Sequence, residues 1–352
     1  MKVINFLRIV WTLLLLALLA GCSPKPGAKS EKDKSHPLDS AAINIAGLTE
    51  QIRNDTANGD LYRARAELYL TIEKFNEALN DISAALKADS TNTEYYVTLA
   101  DIFLAQGKVQ PALETMDKAL LLDSGNIPVL LKSAEINVVI RDYKKALGYI
   151  DKVMKQDDRQ PKAFFLRGVV LLENKDTLHS IRNFQRAIDA DQDYFDAYMQ
   201  LGLIYAAARN NLAVDYFNNA LNIQPGNTDV SYYLAMFYQE TGEYVKAIGI
   251  YESLINKNPE FYYALYNIGY INLVYLKDFD KAIECFTKVI EMKPAYTDAW
   301  YNRGFAYELK KETENSQKDY RKALELSPNY EKAVEGLNRI DEYLSKERVK
   351  GK

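Results

Sequence analysis

Apolar and polar residues alternate along most of the chain in short stretches that each follow the 3.6-residue period of an amphipathic helix. Two such stretches, separated by a polar turn, form a unit that recurs every 34 residues or so. The fifth unit lacks one residue and the seventh has one extra. Eight units are predicted, covering residues 59–92, 93–126, 127–160, 161–194, 195–227, 228–261, 262–296 and 297–330.

Three positions within the unit show how its two helices pack. Position 8 is always small: it reads Ala66, Ala100, Ala134, Gly168, Gly202, Ala235, Gly269 and Gly304. Position 20 is also small: it reads Ala78, Ala112, Ala146, Ser180, Ala213, Ala247, Ala282 and Ser316. Position 24 is large and apolar: it reads Ile82, Met116, Ile150, Phe184, Phe217, Tyr251, Phe286 and Tyr320. Large side chains opposite small ones predict two closely packed helices in every unit.

The last unit shows most clearly which family the chain resembles. Its key residues are Trp300, Gly304, Tyr307, Tyr320, Ala323 and Pro328. At this spacing they resemble the tetratricopeptide repeat, a helix-turn-helix unit of 34 residues. The resemblance implies an all-α fold, a right-handed α-solenoid (superhelix) of about eight such units, because no single unit can bury its apolar face alone.

Further helices are predicted at both ends of the array. Residues 41–58 form an N-terminal half-repeat, a helix with Ile43, Leu48 and Ile52 on one side. Residues 331–352 form a capping helix and tail, with Val334 and Ile340 among the residues of its apolar side. Residues 23–40 are rich in Pro, Ser and alternating charges, and they predict a flexible tether.

Residues 1–22 have the pattern of a targeting signal. Lys2 and Arg8 precede an apolar run that is too short for a typical membrane-spanning helix, and residues 19–22 read Leu-Ala-Gly-Cys. This resembles a bacterial lipoprotein signal with its lipobox. The resemblance implies cleavage before Cys22 and attachment of acyl chains such as palmitate, which anchor the chain to a membrane. An uncleaved anchor helix and an ordinary secretory signal are the alternatives.

The residue after this cysteine bears on localisation. Ser23 follows Cys22, and no acidic cluster comes next, which resembles lipoproteins sorted to the outer membrane and facing the periplasm. The cell surface and the inner membrane remain alternatives.

Charge and cysteine content narrow the possible functions. The formal net charge is −4, which lacks the basic excess that nucleic-acid binding requires. Cys285 is the only other cysteine in the sequence, so no disulfide framework is expected. Its position in the second helix of a unit predicts a packing thiol in preference to a reactive one.

No combination of residues predicts catalysis. The two histidines, His36 and His179, lie in different segments, and neither has a neighbouring nucleophile or metal-ligand spacing. The sequence contains no phosphate-binding glycine motif. We therefore predict that the chain is not an enzyme and has no metal, no cofactor and no small-molecule substrate.

The resemblance implies a ligand-binding groove lined by the first helix of each unit, at positions 2, 5, 6, 9, 12 and 13. Early units place acids at position 9, namely Glu67, Asp101 and Glu135, whereas later units place apolar and aromatic residues there. The predicted binding residues are Phe165, Met199, Leu203, Tyr232, Met236, Tyr263, Tyr266, Asn267, Tyr270, Tyr301, Asn302 and Phe305. The two asparagines resemble those with which some family members hold a peptide backbone. The alternative is that the aromatic residues pack on one another.

These features predict a membrane-anchored scaffold of the bacterial envelope that binds a partner protein or an extended peptide in an aromatic groove. Its specificity would come from the acidic repeats. The alternative is a structural subunit of an envelope assembly that contacts its partners through the array ends or the outer face. An accessory role in envelope glycan processing has no positive feature in the sequence.

Overall fold

The computed structural model describes residues 37–350, and these residues form eighteen α-helices without a strand. The all-α class predicted from the sequence is thereby confirmed for the described chain. The predicted signal, Cys22 and His36 lie outside the described residues, as does most of the predicted tether. Within the described range no helix is long and apolar enough to cross a bilayer.

The chain divides into two compact units, the first ending at Ala197 and the second beginning at Tyr198. The first unit opens with α1 (Pro37–Asn54) and continues with helix pairs, in each of which we call the first helix A and the second helix B. The pairs are α2 (Gly59–Thr71) with α3 (Phe75–Ala88), α4 (Thr93–Ala105) with α5 (Val109–Leu122), α6 (Ile127–Val139) with α7 (Tyr143–Gln156), and α8 (Pro161–Glu173) with α9 (Thr177–Ala190).

The second unit continues the same pattern from α10, which crosses the boundary, and ends with a single long helix, α18 (Glu331–Lys350). Its pairs are α10 (Phe195–Ala207) with α11 (Leu212–Ile223), α12 (Thr228–Thr241) with α13 (Tyr244–Lys257), α14 (Tyr262–Ile271) with α15 (Phe279–Met292), and α16 (Thr297–Leu309) with α17 (Thr313–Leu326). We number the pairs of the chain as repeats 1 to 8.

Small residues on helix A allow close approach of helix B. All residues at positions 8 and 20 are buried, and so are the large side chains at position 24. A Cβ atom added to Gly168 would lie 2.7 Å from the Phe184 ring, and one added to Gly202 would lie 2.6 Å from the Phe217 ring. In these repeats position 8 must stay small because the ring at position 24 occupies the space beside it.

Caps and turns define the helix ends. Side chains of Asn58, Asn92, Asn126 and Asn227 accept a backbone N–H at the start of a helix A, as N-cap residues do. Every turn from helix A to helix B contains one residue with a left-handed backbone. These residues are Glu73, Gly107, Arg141, Lys175, Arg209, Gly242, Lys277 and Lys311. Glycine occupies this position in the second and sixth repeats only, although it is the residue that adopts the conformation most easily.

The extra residue of the seventh repeat lies in a π-helical turn, Asn272–Leu276, at the end of α14. One-residue insertions in a helix commonly take this form. The turn leaves Val274, Tyr275 and Leu276 exposed, and the Tyr275 ring stacks on Tyr244 with the ring centres 4.5 Å apart.

The N-terminal helix differs in detail from the predicted one. It begins at Pro37, four residues before the predicted start, since proline is well tolerated in the first helical turn. Ile43 is 69% exposed, so the prediction that it shares a packed side with Ile52 was wrong. Thr49 accepts a hydrogen bond from Arg65 of α2.

The two ends of the described chain share one polar motif. Arg65 binds Asp81 with two hydrogen bonds of 2.7 Å and also reaches Thr49. Arg303 binds Asp319 in the same bidentate way and reaches Thr287 of the preceding helix B. In both cases the arginine lies sixteen residues from each partner. Helix α1 therefore takes, relative to α2, the place that a preceding helix B takes in a full repeat.

Candidate functional site

The candidate site is the helix A face, which we define as positions 2, 5, 6, 9, 12 and 13 of each repeat. Among the twelve predicted binding residues, Phe165 lies in the first unit and the others lie in the second. Phe165, Leu203 and Asn302 are buried, with 7%, 5% and 7% of their surface exposed. Burial of these three side chains favours the packing alternative for them.

The aromatic residue at position 5 belongs to a recurring cluster within its own repeat. In repeats 4, 6, 7 and 8 its ring contacts the rings at position 24 and at the last position of the repeat, with centres 5.1 to 5.8 Å apart. We call each group an aromatic triad. The triads are Phe165–Phe184–Tyr194, Tyr232–Tyr251–Phe261, Tyr266–Phe286–Tyr296 and Tyr301–Tyr320–Tyr330.

Sequence reasoning missed the third member of each triad. Tyr194, Phe261, Tyr296 and Tyr330 each stand at the end of a repeat, just before the next helix. Their common position was visible as a periodic signal. In these four repeats position 5 contributes mainly to the packing inside the repeat, because aromatic rings in tilted, edge-on or offset stacked contact stabilise one another.

The two asparagines connect consecutive repeats. The Asn267 side-chain amide donates to the Tyr232 hydroxyl at 3.0 Å and lies 3.1 Å from the Tyr251 hydroxyl. The Asn302 amide donates to the Tyr266 hydroxyl at 2.7 Å. In each case the asparagine at position 6 of one repeat donates a hydrogen bond to the tyrosine at position 5 of the repeat before it. These amide groups are engaged by tyrosine hydroxyls, where the resemblance implied a peptide backbone.

Side chains at positions 2 and 9 of repeats 6 to 8 are more accessible than those at positions 5 and 6. Tyr263 is 46% exposed, although its ring touches Tyr262 with the centres 4.1 Å apart. Met236, Tyr270 and Phe305 are partly exposed. We call these four residues, at positions 2 and 9 of repeats 6 to 8, the contact set. Met199, at position 5 of repeat 5, is also partly exposed and belongs to no triad.

At the last repeat, α18 lies against the predicted binding residues. The Lys332 ammonium and the Arg339 guanidinium are each 5.9 Å from the ring centres of Tyr301 and Phe305, respectively. Arg339 also binds Glu308 through two hydrogen bonds of 2.7 and 2.9 Å. Helix α18 therefore limits access to Tyr301, and Phe305 forms the margin of the contact set.

In the first unit, the acids at position 9 are paired. The Glu135 carboxylate is buried and contacts Lys132 at 3.0 Å and Lys162 at 2.5 Å. Lys132 also contacts Asp101 at 2.6 Å. Glu67 lies 2.9 Å from Arg63. The prediction that these acids set the binding specificity is therefore revised, because each is paired with a cation at position 2, 5 or 6 of the helix A face.

Burial and charge oppose one another in this network. Burial alone would raise the pKa of the Glu135 carboxyl, but the Lys162 and Lys132 ammonium groups outweigh it and hold that pKa below its usual range. Burial raises the pKa of the Asp101 carboxyl, and Lys132 only partly offsets the effect. The network links α4, α6 and α8 by charge pairs in which Lys132 and Glu135 are buried and Asp101 and Lys162 are partly exposed.

Two other reactive side chains of the described residues are Cys285 and His179. Burial raises the pKa of the Cys285 thiol to about 11, so the sulfur is protonated at neutral pH. His179 contacts Asp176 at the exposed start of α9. Across residues 37–350 no group of three or more His, Cys, Asp or Glu side chains could hold a metal ion.

Four family models match the chain. Three are described as tetratricopeptide repeat and match residues 63–127, 205–266 and 297–330, and one described as TPR repeat matches residues 272–311.

Curated relatives share short segments with this chain. Human protein O-mannosyl-transferase TMTC3 is 25% identical over 43% of this chain and 16% of its own length. Anaphase-promoting complex subunit 3 of Schizosaccharomyces pombe is 27% identical over 34% of this chain and 18% of its own length. The chain thus spans less than a fifth of the length of these two relatives.

Two solved structures share the fold. The C-terminal part of a TPR repeat-containing protein from Cytophaga hutchinsonii has a TM-score of 0.58 and 20% identity, with 68% of this chain and 99% of that one covered. The APC/C hetero-tetramer Cut9-Hcn1 has a TM-score of 0.53 and 17% identity, with 88% and 60% covered. These likenesses support the α-solenoid class.

Proposed function

Because this chain is a tetratricopeptide repeat protein, we propose that it is a membrane-anchored scaffold that binds a partner protein on the helix A face of its second unit. Tetratricopeptide repeats are generally protein-interaction scaffolds. The repeat is also typically non-enzymatic, and the relative named a transferase shares only 16% of its length with this chain.

The observation that carries the proposal is the contact set. Tyr263, Met236 and Tyr270 present apolar and aromatic surface to solvent on neighbouring helices A. The triads and the two asparagines beneath them fix the helices, so the surface is organised before a partner arrives. Exposed tyrosine and methionine at such a place are typical of protein interfaces, because they add contact area at a low entropic cost.

The test combines Tyr263→Ala with Met236→Ala in the full chain. Partner proteins recovered from the envelope of the source organism are quantified against the unchanged chain, and circular dichroism checks the fold. We expect partner recovery to fall about tenfold or more, as for truncation of interface hot spots. The control combines Val334→Ala with Leu326→Ala, which removes exposed apolar surface elsewhere in the same unit. Equal recovery by the contact-set variant and the control would refute the proposed surface.

A second function is supported by the relatives. One is named a subunit of the anaphase-promoting complex and one solved structure is a hetero-tetramer. This chain could serve in the same structural manner, as a subunit of an envelope assembly that is contacted through the array ends or the outer face. Attachment of partners near Tyr343 of α18, and not near Tyr263, would support this alternative.

Anchoring rests on the resemblance of residues 19–22 to a lipobox. In cells grown with an alkyne analogue of palmitate, the chain should become labelled with this analogue. The Cys22→Ser variant should remain unlabelled. The labelled form should fractionate with the outer membrane. Labelling that persists in the Cys22→Ser variant would refute attachment at this residue.

A further inference from the structure

The helix A face is far more acidic than the chain as a whole. Its forty-eight positions hold three cations, namely Arg63, Lys132 and Lys162. They hold eleven carboxylates, namely Asp60, Glu67, Glu94, Asp101, Glu135, Glu173, Asp196, Asp229, Glu240, Asp298 and Glu308. This face therefore carries a formal charge of −8, while the whole chain carries −4.

All three cations lie in the first unit, where they pair with carboxylates. Within the second unit, the helix A face holds four carboxylates and no Lys or Arg. Glu308 is neutralised by Arg339 of α18, and Asp298 accepts a hydrogen bond from Tyr330. The other two, Asp229 and Glu240, are exposed. In the described chain no Lys, Arg or His nitrogen lies within 4.0 Å of either carboxylate.

These two carboxylates flank Met236 of the contact set. Asp229, Tyr232, Met236 and Glu240 follow one another at helical spacing along α12, so they form one stripe on that helix. With a rise of 1.5 Å per residue, the stripe places the two acids about 16 Å apart. Tyr232 joins this stripe to α14 through its hydroxyl contact with Asn267. An apolar surface thus lies between two carboxylates that have no cation of their own.

We propose that the second unit binds an extended peptide segment that carries two Lys or Arg residues about five positions apart with apolar residues between them. An extended chain rises about 3.3 Å per residue, so five residues span the distance between Asp229 and Glu240. The cations pair with these carboxylates, and the apolar residues contact Met236 and Tyr263. This inference rests on the proposed function and adds the chemistry of the partner.

The carboxylates set the specificity of the site. The contact set supplies the apolar part of the binding energy. The two carboxylates attract a basic segment and repel an acidic one. Charged interfaces discriminate among partners in this way. Exposed pairs weaken as salt increases, so the affinity should depend on ionic strength.

The test is selection of a random peptide library against the full chain, in parallel with an Asp229→Asn/Glu240→Gln variant that keeps the shape of both side chains. Peptides selected by the unchanged chain should be enriched in Lys or Arg about five positions apart. Selected peptides should bind the variant about 4- to 25-fold less tightly, because each lost pair of exposed charges contributes about two- to fivefold. The enrichment should be absent from peptides selected by the variant.

The control variant is Asp215→Asn/Glu252→Gln, which removes two exposed carboxylates from helices B of the same unit. It should bind the selected peptides as the unchanged chain does. Selection of peptides without an excess of basic residues, or an equal loss in the control, would overturn the inference. If such neutral peptides lost affinity on Tyr263→Ala, the proposed binding surface would stand and only its specificity would be wrong. If no peptide were selected, the inference would also fail.

Discussion

At the scale of single residues, the packing between helices A and B depends on a small residue at position 8, and in repeat 4 on glycine there. Gly168 faces the Phe184 ring so closely that even a methyl group would overlap it. Gly148, on the exposed side of α7, has no atom within 4 Å of its would-be Cβ. Glycine is therefore required for packing at position 168 but not at position 148. Substitution by alanine should change the stability in opposite directions at the two positions.

We predict that Gly168→Ala lowers the free energy of unfolding by about 1 to 3 kcal/mol, because the added methyl group displaces the Phe184 ring. Gly148→Ala should raise it by about 0.5 to 1 kcal/mol, because alanine is the better helix former. Urea unfolding followed by circular dichroism measures both. Destabilisation of equal size in the two variants would contradict the close packing at position 8.

The buried Glu135 carboxylate should be important for the stability of the first unit. Glu135→Gln leaves Lys132 buried with less compensating charge, and we expect a loss of about 3 kcal/mol at neutral pH. Because the pKa of Glu135 is lowered in the folded chain, its contribution is present above the unfolded-state value of about 4.3 and is lost as the pH falls below it.

The stability difference between the unchanged chain and Glu135→Gln should accordingly shrink as the pH is lowered from 6 to 3, a range that spans about 4.3. Thermal unfolding at a series of pH values measures it. A difference that is independent of pH would show that charge pairing with the lysines contributes little. Asp151→Asn, at an exposed carboxylate paired with Arg167, is the control and should change stability much less.

At the scale of helices, the second unit is joined by contacts between equivalent positions of successive repeats. Tyrosine at position 5 packs into the triad of its own repeat, while asparagine at position 6 of the next repeat holds its hydroxyl group. The tyrosine at position 5 thus contributes its ring to packing within one repeat and its hydroxyl group to a hydrogen bond with the next. Neighbouring helices A are fixed relative to each other, and the contact set lies on them.

A double-mutant cycle on Tyr266 and Asn302 tests this connection. Asn302→Ala should cost about 1 to 3 kcal/mol, because it leaves the Tyr266 hydroxyl without its donor. Tyr266→Phe should make the later loss of Asn302 less costly, with a coupling energy of about 1 kcal/mol. Urea unfolding provides the values. Additive effects would indicate that the 2.7 Å hydrogen bond contributes nothing to stability.

At the scale of the whole chain, the sequence supports the architecture better than the site. Small residues at position 8 and large ones at position 24 must match in every repeat, so their period predicts the helix pairs and the family. The solvent exposure of a side chain on the helix A face has no such periodic pattern in the sequence. Phe165 and Tyr263 are both aromatic residues of a helix A, yet the first is buried by Tyr194 and the second is exposed. The pairing of Glu135 with Lys162, 27 residues away, likewise leaves no periodic pattern in the sequence.

Helix α18 closes the second unit and should be required for its stability. It buries Ala333 and Ile340 and packs Gly336 against the Tyr320 ring. A chain ending at Tyr330 would expose this apolar surface and should lose about 3 kcal/mol or more. Hydrogen exchange should increase in α16 and α17, whereas α2 to α5 should keep their protection, because repeat units depend mainly on their neighbours. Equal loss of protection in all these helices would argue against such local dependence.

The central claim is that a partner protein binds the contact set on the helix A face of the second unit. Site-specific photo-crosslinking in cells tests it most directly, with a benzophenone amino acid placed at Tyr263, at Met236, or at Glu252 on the outer helix α13. The account predicts a crosslinked partner from Tyr263 and Met236 and none from Glu252. Crosslinks from Glu252, or from Tyr343 of α18, with none from Tyr263 or Met236 would contradict it.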